Sequence, residues 1–412
     1  MNTPALVNAT FADASMGALA PPATTAAEST VAATTRPDVL FLLNNLGIGG
    51  SERKIVRLAN RLKDDGVHVT LACLNGPFTI EPKIRRDVPL TKLERSGKFS
   101  LGALWRLRKT IVQQRPATVI AVNLYAALYI ALACFALPFR PRTVALVNTS
   151  TFRGHPFWKR MYQRVLGRFD HTVHGSEAQR GFWFKANCKA WSSSTVIYNG
   201  VDSTHFESTQ SFEAAKRLRA QLGLKPEALL LGTVGMCRPE KNQEALLTTL
   251  RRLRVARVDA HLAIAGDGPL KEHLKRRAIA LEIADRVHFL GALEDVRPLL
   301  GALDVFVLPS SAVESFSNAA LEAMSMGRPV ILSDIGGARE MIHDGAEGYV
   351  VASTELEARM PALIASLYAD RRKRLQMGIA ARNRAVTCFS VAAMVAGYRS
   401  ILGGLQHGGD VQ

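Results

Sequence analysis

Short apolar runs rich in β-forming residues alternate with helical patterns from residue 38 onward. The runs occupy residues 38–43, 67–72, 117–122, 143–147, 171–174 and 195–198 in the first half, and 228–234, 261–265, 286–289, 304–308, 329–333 and 348–351 in the second. Apolar strands separated by helices indicate a parallel sheet covered on both faces. Two such series predict an α/β chain with two doubly wound, Rossmann-like domains. If these domains face each other, a cleft lies between them, beyond the carboxyl ends of the strands, where ligands bind.

The domain boundary is predicted from a turn-forming cluster, Asn-Gly-Val-Asp, at residues 199–202. The chain has 412 residues, which is enough for two domains. We therefore expect a first domain at residues 37–202, a second at 203–385 and a final segment at 386–412. Residues 1–36 are rich in Ala and Thr and contain no basic residue before position 36. This composition predicts a disordered extension and not a secretory signal.

Charge and cysteine content narrow the function class. The formal net charge is +17, which attracts polyanions such as nucleic acid, anionic lipid or phosphorylated small molecules. No zinc-finger or RNA-binding signature supports nucleic acid among these. The five cysteines include no C-x-x-C pair, so we expect neither a zinc site nor a disulfide framework, and a cytoplasmic location.

One apolar stretch, residues 117–139, is long enough to span a bilayer. Asn123 interrupts it, and the strand-then-helix rhythm of the rest of the chain recurs within it. We therefore interpret it as a strand at 117–122 followed by a core-packed helix at 125–136, and not as a membrane span.

The loop after the first strand is rich in glycine, with Gly47, Gly49 and Gly50 before Ser51. Glycines let a backbone approach a ligand closely, and Ser51 can cap the amphipathic helix that follows. The amino end of such a helix offers free amides to an anion. The spacing is not the dinucleotide fingerprint, because the third glycine is missing, and a tight structural turn explains the loop equally well.

Two further loops carry charged side chains directly after predicted strands. Arg238 and Lys241 follow the strand at 228–234 and can reach one phosphorylated ligand together, although solvated surface charge is the commoner role of such a pair. After the strand at 304–308, Glu314 lies on a polar loop and Glu322 on the helix that starts near residue 316. The spacing suits two hydroxyl-binding carboxylates on either side of a phosphate at the helix start.

These segments, taken in order, resemble the retaining glycosyltransferases of family 4, which have the GT-B fold. The matching segments are 47–53, 198–202, 235–242, 265–270, 287–291, 314–322 and 336–348. Each match is loose, but together they extend over residues 38–400. The resemblance implies transfer of a sugar from a UDP- or GDP-sugar to a hydroxyl of a glycan or lipid-linked acceptor, in cell-surface polysaccharide synthesis. It also implies that the helix at about 389–402 crosses back onto the first domain.

The resemblance also implies a role for each matching residue. Arg238 and Lys241 hold the donor diphosphate and, with Glu314, form the catalytic set; Glu314 binds hydroxyls of the transferred sugar and Glu322 those of the ribose. The other donor-binding positions are Gly49 and Gly50 at the phosphate and acceptor, the backbone amides of Phe316, Ser317 and Asn318, and His288, Phe289 and Leu290 beside the base.

Two positions depart from the family pattern. Many relatives carry a histidine where this chain has Asn148, and either Asn148 or His155 can replace it here. An amide can donate or accept a hydrogen bond, but it does not titrate as imidazole does. The second departure is Ser-Phe-Ser at 315–317 in place of Gly-Phe-Gly, which is tolerable where φ is below zero.

No cofactor is expected beyond the sugar nucleotide, which is a co-substrate. The chain has no D-x-D arrangement, and two cations and a helix start are available for a diphosphate, so we expect no metal. Rival interpretations are an epimerase or phosphorylase of the same fold, and a non-catalytic protein that binds an anionic membrane or another polyanion.

Basic residues gather in the first domain. Residues 83–115 carry ten basic and two acidic residues, and residues 151–168 add five basic residues, no acid, and the aromatic residues Phe152, Phe157 and Trp158. Basic side chains beside aromatic ones suit an anionic leaflet, whereas a solvated face or a site for an acidic glycan also fits. We therefore predict a peripheral protein on the inner face of the membrane.

Overall fold

The computed structural model describes residues 38–47, 49–97, 99–149, 156–186 and 188–403, apart from the side chain of Gln210. The predicted N-terminal extension at residues 1–36 lies outside the described residues.

The first domain is built on one parallel sheet, which has seven strands among the described residues. The strands are β1 (Val39–Leu43), β2 (Val69–Cys73), β3 (Leu90–Lys92), β4 (Thr118–Val122), β5 (Arg142–Val147), β6 (His171–His174) and β7 (Ser194–Val196). Their spatial order is β3-β2-β1-β4-β5-β6-β7. The helices are α1 (Gly50–Asp64), α2 (Leu101–Gln114), α3 (Asn123–Ala133), α4 (Pro156–Leu166), α5 (Glu177–Trp183) and α6 (Lys189–Ser192).

The second domain repeats this plan with six parallel strands in the described part of the chain. They are β8 (Leu229–Val234), β9 (Ala260–Ala265), β10 (Val287–Gly291), β11 (Val305–Leu308), β12 (Val330–Ser333) and β13 (Gly348–Val351), in the order β10-β9-β8-β11-β12-β13. The helices are α7 (Ser208–Gln221), α8 (Glu244–Val255), α9 (Lys271–Ala280), α10 (Arg297–Ala302), α11 (Asn318–Ser325), α12 (Ala338–Met341), α13 (Leu356–Ala369) and α14 (Arg371–Cys388), and α15 (Val391–Gly403) follows them in the chain.

The predicted architecture of two Rossmann-like sheets is confirmed, and a strand lies at each predicted apolar run. The sequence missed β3, which is three residues long and only half-buried. A short strand at a sheet edge has no continuous apolar run because only one neighbour and part of one face cover it.

Both faces of each sheet are buried. In β1, Val39, Phe41 and Leu43 pack into one core cluster, whereas Leu40 and Leu42 pack into another on the opposite face. Side chains of a strand alternate between faces, so a strand covered on both sides must be apolar throughout. This explains why the strands were readable as continuous runs.

The strand order places a crevice in each domain. Strands β1 and β4 are neighbours in the first sheet, and β8 and β11 are neighbours in the second. In each pair, the chain continues from the two strands toward opposite edges of the sheet. Loops at the carboxyl ends of such a pair turn away from each other and leave room for a ligand. The predicted site loops follow β1, β8 and β11, so each lies at one of these two points.

The chain crosses between the domains twice, and the two crossings pair with each other. The amide of Val201 donates to the Phe389 carbonyl (2.8 Å), and the amide of Val391 donates to the Val201 carbonyl (3.1 Å). A side chain at Gly200 would lie 2.7 Å from the Ser390 carbonyl oxygen, so this close approach requires glycine. Beyond the crossing, α15 packs into the core of the first domain.

The apolar stretch 117–139 forms β4 and α3, with Asn123 as the first residue of the helix. Across the described ranges, the helices are all too short or too polar to cross a membrane.

Candidate functional site

The loops after β8 and β11 meet through an ion pair. Lys241 lies at the end of a short 3₁₀ turn, Pro239–Lys241, and its Nζ is 2.6 Å from Oε2 of Glu314. Both side chains are largely shielded, with exposed fractions of 24% and 16%. The Ser310 hydroxyl lies 3.3 Å from the same carboxylate oxygen. Arg238, which starts the turn, is half exposed, and its ion-pair partner among the described residues is Glu240, at 4.0 Å. One cation of the predicted pair is therefore engaged with the predicted sugar-binding carboxylate, and the other faces solvent.

A glycine pair holds the Glu314 loop in place. Gly336 has φ of +56°, and a Cβ there would lie 1.9 Å from the Glu314 carbonyl oxygen. The amide of Gly337 donates to the Ser315 carbonyl (2.7 Å). Just before Glu314, Val313 has φ of +58°, a left-handed conformation that is strained for a β-branched residue. Such strain persists only where the surroundings impose it, which indicates that the position of Glu314 is closely constrained.

Helix α11 begins beside this loop with free backbone donors. Ser317 is its N-cap, and the Ser317 hydroxyl accepts from the amide of Ala320 (3.2 Å). Within the described ranges, the backbone amides of Phe316, Ser317 and Asn318 make no hydrogen bond. Free amides at a helix start form an anion site. Neither Ser315 nor Ser317 has positive φ, so the departure from Gly-Phe-Gly leaves the loop backbone in an ordinary conformation.

Phe316 is an internal support. Its ring stacks on Tyr198 at 4.8 Å between centroids, and its carbonyl accepts from the Asn199 side chain (2.7 Å). Both partners belong to the crossing between the domains. The helix start is thus fixed to the crossing.

The glycine loop of the first domain reaches α11. The Asn318 side-chain amide donates to the Gly50 carbonyl (3.3 Å). Helix α1 starts at Gly50 with Gly49 as its N-cap, so the expectation that Ser51 caps it is wrong; Ser51 lies in the first turn.

Glu322 lies one turn into α11. Burial raises the pKa of the Glu322 carboxyl to about 7, although Arg57 and Arg53 on α1 favour its charged form. A carboxyl group in this position therefore titrates near neutrality, opposite two cations of the other domain.

The three residues predicted to border the base, 288–290, lie in different surroundings. The His288 ring stacks on His261, with Nε2 3.2 Å from Nδ1, and burial lowers the pKa of both imidazoles. This pair lies near the beginning of β9 and β10, away from their carboxyl ends. Phe289 packs into the core on one face of the sheet, whereas Leu290 packs on the other, in the cluster that includes Phe316. Of the three, Leu290 alone shares a cluster with the site.

Sequence reasoning missed Lys54. It is 7% exposed, and its ammonium donates to Oδ1 of Asn148 at 2.9 Å. Burial lowers the pKa of Lys54 to about 8. The available signal was a lysine four residues before Leu58, on the apolar side of α1. His155, the other predicted substitute for the family histidine, lies outside the described residues.

A metal would need a cluster of suitable ligands. Over the residues that the structure describes, His, Cys, Asp and Glu form no group of three or more that could hold an ion.

Two family models match successive parts of the chain. The model described as Glycosyltransferase Family 4 matches residues 48–205, and the model described as Glycosyl transferases group 1 matches residues 214–384. Between them they include the glycine loop, the ion pair and α11.

Curated relatives align over part of their length. The GDP-mannose-dependent alpha-(1-6)-phosphatidylinositol monomannoside mannosyltransferase of Mycolicibacterium smegmatis is 34% identical over 45% of this chain and 50% of its own. The lipopolysaccharide core biosynthesis mannosyltransferase LpsB of Rhizobium meliloti is 32% identical over 55% of this chain and 62% of its own. The chain therefore spans about half to three fifths of the length of these two relatives.

Solved structures match over nearly the whole fold. HepE of Anabaena in complex with UDP has a TM-score of 0.78 at 23% identity, covering 89% of this chain and 100% of that one. WaaG, a glycosyltransferase involved in lipopolysaccharide biosynthesis, has a TM-score of 0.70 at 17% identity, covering 89% and 100%. At these identities the likeness shows the GT-B fold alone.

The raised pKa of Glu322 predicts a pH dependence of stability. In the unfolded chain this carboxyl loses its proton near its ordinary value of 4.5, whereas the folded protein keeps it until about pH 7. Its contribution to the free energy of unfolding therefore falls between these values and is constant above them. We expect the difference between wild type and Glu322→Gln to shift by up to about 3 kcal/mol from pH 4.5 to pH 8, measured by urea denaturation. Glu213→Gln, at an exposed position on α7, is the control. Parallel pH curves for wild type and Glu322→Gln would refute the assignment.

Proposed function

We propose, because this chain belongs to glycosyltransferase family 4, that it moves a sugar from a UDP- or GDP-sugar to a hydroxyl of a glycan or lipid-linked acceptor. The observation that carries the proposal is the arrangement around α11. The Lys241–Glu314 pair, the free amides at the helix start and the Gly50 loop of the first domain meet there. A role in the synthesis of cell-surface polysaccharide is part of the proposal, and the names of the relatives support it.

Each group has a task in donor binding. Arg238 and Lys241 neutralise the diphosphate, which also accepts hydrogen bonds from the amides of residues 316–318. Glu322 binds the ribose hydroxyls. Glu314, released from Lys241 as the cation turns to phosphate, accepts from hydroxyls of the sugar. The ion pair of the free protein thus keeps both side chains in place until the donor replaces it.

The proposed reaction retains the anomeric configuration and needs no metal. The site motifs contain no evident nucleophile, so we propose that the acceptor attacks from the face that the diphosphate leaves, and that the diphosphate takes the acceptor proton. The transition state resembles an oxocarbenium ion beside a leaving anion. Arg238, Lys241 and the start of α11 stabilise that anion, and the cleft supplies position.

The function is tested by incubating the protein with UDP- and GDP-sugars and a panel of glycan and lipid-linked acceptors. We expect an α-linked product from an α-linked donor, formed equally well in excess chelator, with the linkage read by NMR. An inverted product would refute retention, and activity lost in chelator and restored by Mg²⁺ would refute metal independence. Donor turnover without acceptor would favour the epimerase, and no turnover with any donor would favour the non-catalytic polyanion-binding protein.

The proposed contact of Arg238 and Lys241 with the diphosphate predicts how substitutions change the affinity for nucleoside diphosphates. We expect Arg238→Ala and Lys241→Ala each to weaken binding of the nucleoside diphosphate about ten- to a hundredfold, since a hydrogen bond to a charged group is worth about 1.5–3 kcal/mol. Glu314→Gln should not weaken that affinity, because it removes the anion from which Lys241 must be released, but it should weaken binding of the nucleotide sugar relative to the diphosphate. Calorimetric titration measures each, with the exposed Lys216→Ala on α7 as control. Normal affinity in both variants would show that Arg238 and Lys241 do not bind the donor diphosphate.

The first domain presents a surface that fits an anionic membrane, and we propose peripheral association with the inner leaflet. Exposed apolar side chains lie on three helices that pack side by side, α2, α3 and α4. They include Leu101, Trp105, Leu132, Phe157 and Trp158. Lys109 lies over the Trp105 ring at 5.3 Å. Phe152 of the predicted segment lies outside the described residues.

Part of the basic charge in this region is already paired. Arg85 pairs with Asp87, and Lys92 pairs with Glu81 at 2.8 Å. The guanidinium of Arg108 donates to the carbonyls of Ala133, the last residue of α3, and of Ala136, which secures that helix against α2. The membrane proposal therefore rests on exposed apolar side chains together with the remaining cations, and not on charge alone.

Sedimentation with liposomes tests this surface. We expect binding that requires anionic lipid and falls as salt rises, because salt screens exposed charges. Leu101→Ser with Trp105→Ser should lower affinity about tenfold or more, since full burial of such a side chain is worth about 1.5–3 kcal/mol. Ile279→Ser, at an equally exposed apolar position on α9, is the control. Equal binding to neutral and anionic vesicles would defeat the proposal.

A further inference from the structure

Asparagines line the carboxyl edge of the first sheet. Asn44, Asn123 and Asn148 each follow directly after β1, β4 and β5. These strands are neighbours in the sheet, in the order β1-β4-β5. The edge lies at the point where a doubly wound sheet binds its ligand. Amides can both donate to and accept from sugar hydroxyls, so the edge has the chemistry of a carbohydrate site.

The contact with Lys54 decides which way the Asn148 amide points. An ammonium group only donates hydrogen bonds, so the Asn148 atom 2.9 Å from Nζ must be the oxygen. The Nδ2 group then points away from Lys54. Among the described residues it has no hydrogen-bond partner, although it is shielded from solvent. The backbone amide of Asn148 donates to the Asn123 side chain (3.3 Å), which fixes the residue at a second point.

The charge of Lys54 is buried without an opposite charge beside it. Its side chain is buried, and within the described part of the chain no carboxylate lies within ion-pair distance of its ammonium. A buried charge without a counter-charge destabilises the folded state. Burial lowers its pKa to about 8, so the group is mainly protonated, and therefore a donor only, at neutral pH. An unpaired buried NH₂ group beside it adds a further penalty.

We propose that Lys54 is a positioning residue that holds the Asn148 amide with its Nδ2 group toward the bound sugars, so that Asn148 acts as a hydrogen-bond donor to a sugar oxygen. The proposal rests on the sugar transfer proposed above and deepens it. The group that faces the bound sugars is then the NH₂, which donates hydrogen bonds and accepts neither a proton nor a hydrogen bond. Asn148 therefore orients and polarises a sugar oxygen. The bound sugar gives the buried NH₂ group of Asn148 the hydrogen-bond partner that it lacks, while Lys54 keeps that group in position.

Asn148→Asp is the sharpest test. It keeps the size of the side chain and an oxygen for Lys54, but it removes the NH₂ donor. We expect kcat for sugar transfer to fall at least tenfold, with the affinity for UDP or GDP unchanged within twofold and the melting temperature not lowered. Unchanged kcat in Asn148→Asp would overturn the proposal.

Lys54→Met and the double variant test the positioning role. Lys54→Met should lower kcat in the same direction, and Lys54→Met with Asn148→Ala should be no worse than Asn148→Ala alone, because both changes remove one oriented group. Lys54→Arg, which keeps a donor, should recover part of kcat. Lys63→Met on the same helix is the control. Losses that multiply in the double variant would overturn the proposal.

A separate measurement distinguishes failure of this proposal from failure of the proposed function. If the wild type transfers no sugar from any donor, the function is refuted, and the pair is judged by denaturation alone. Non-additive effects of Lys54→Met and Asn148→Ala on the free energy of unfolding support the positioning contact. Additive effects overturn it.

Discussion

The ion pair between Lys241 and Glu314 is the contact on which the site depends. The pair, with Nζ and Oε2 2.6 Å apart, joins the loops after β8 and β11. These neighbouring strands mark the point where the strand order of the second sheet reverses. Both charges are mostly shielded, and two shielded charges are tolerated only as partners. In the proposed function, a diphosphate and a sugar replace each partner in turn. The ion pair would then hold both side chains close to the positions proposed for donor binding.

The site is assembled by contacts between the domains as well as within one. Asn199 and Tyr198 of the crossing support Phe316, and Asn318 reaches the Gly50 carbonyl. On the other side, the Glu340 carboxylate accepts from the amides of residues 177 and 178 at the start of α5 (2.7 and 2.9 Å). Each domain thus caps or braces a loop of the other, so a change in their relative position changes the start of α11 and the start of α5 together.

Burial sets the electrostatics at the two ends of this cleft. It raises the pKa of Glu322 and lowers that of Lys54, each toward neutrality. In both cases desolvation disfavours the charged form, and in neither does a nearby opposite charge restore the ordinary value. Perturbed groups of this kind gather at functional sites more often than elsewhere. Their presence on facing helices, α11 and α1, supports a cleft built for polar ligands.

The sequence by itself determined the two sheets, because strands buried on both faces must be apolar throughout, and it identified the loops with Arg238, Lys241 and Glu314, because they follow such strands directly. Only the tertiary structure decided the edge strand β3, the pairing of His288 with His261, the helix start at Gly50 and the contact between Lys54 and Asn148. Apolar runs are local in the sequence, whereas the two side-chain pairs join residues 27 and 94 positions apart. Strand β3 lies at an edge with one neighbour, and the start of α1 is set by the extended backbone at Gly49. Contacts at such separations leave no periodic trace in the chain, and desolvation exists only once the chain has folded.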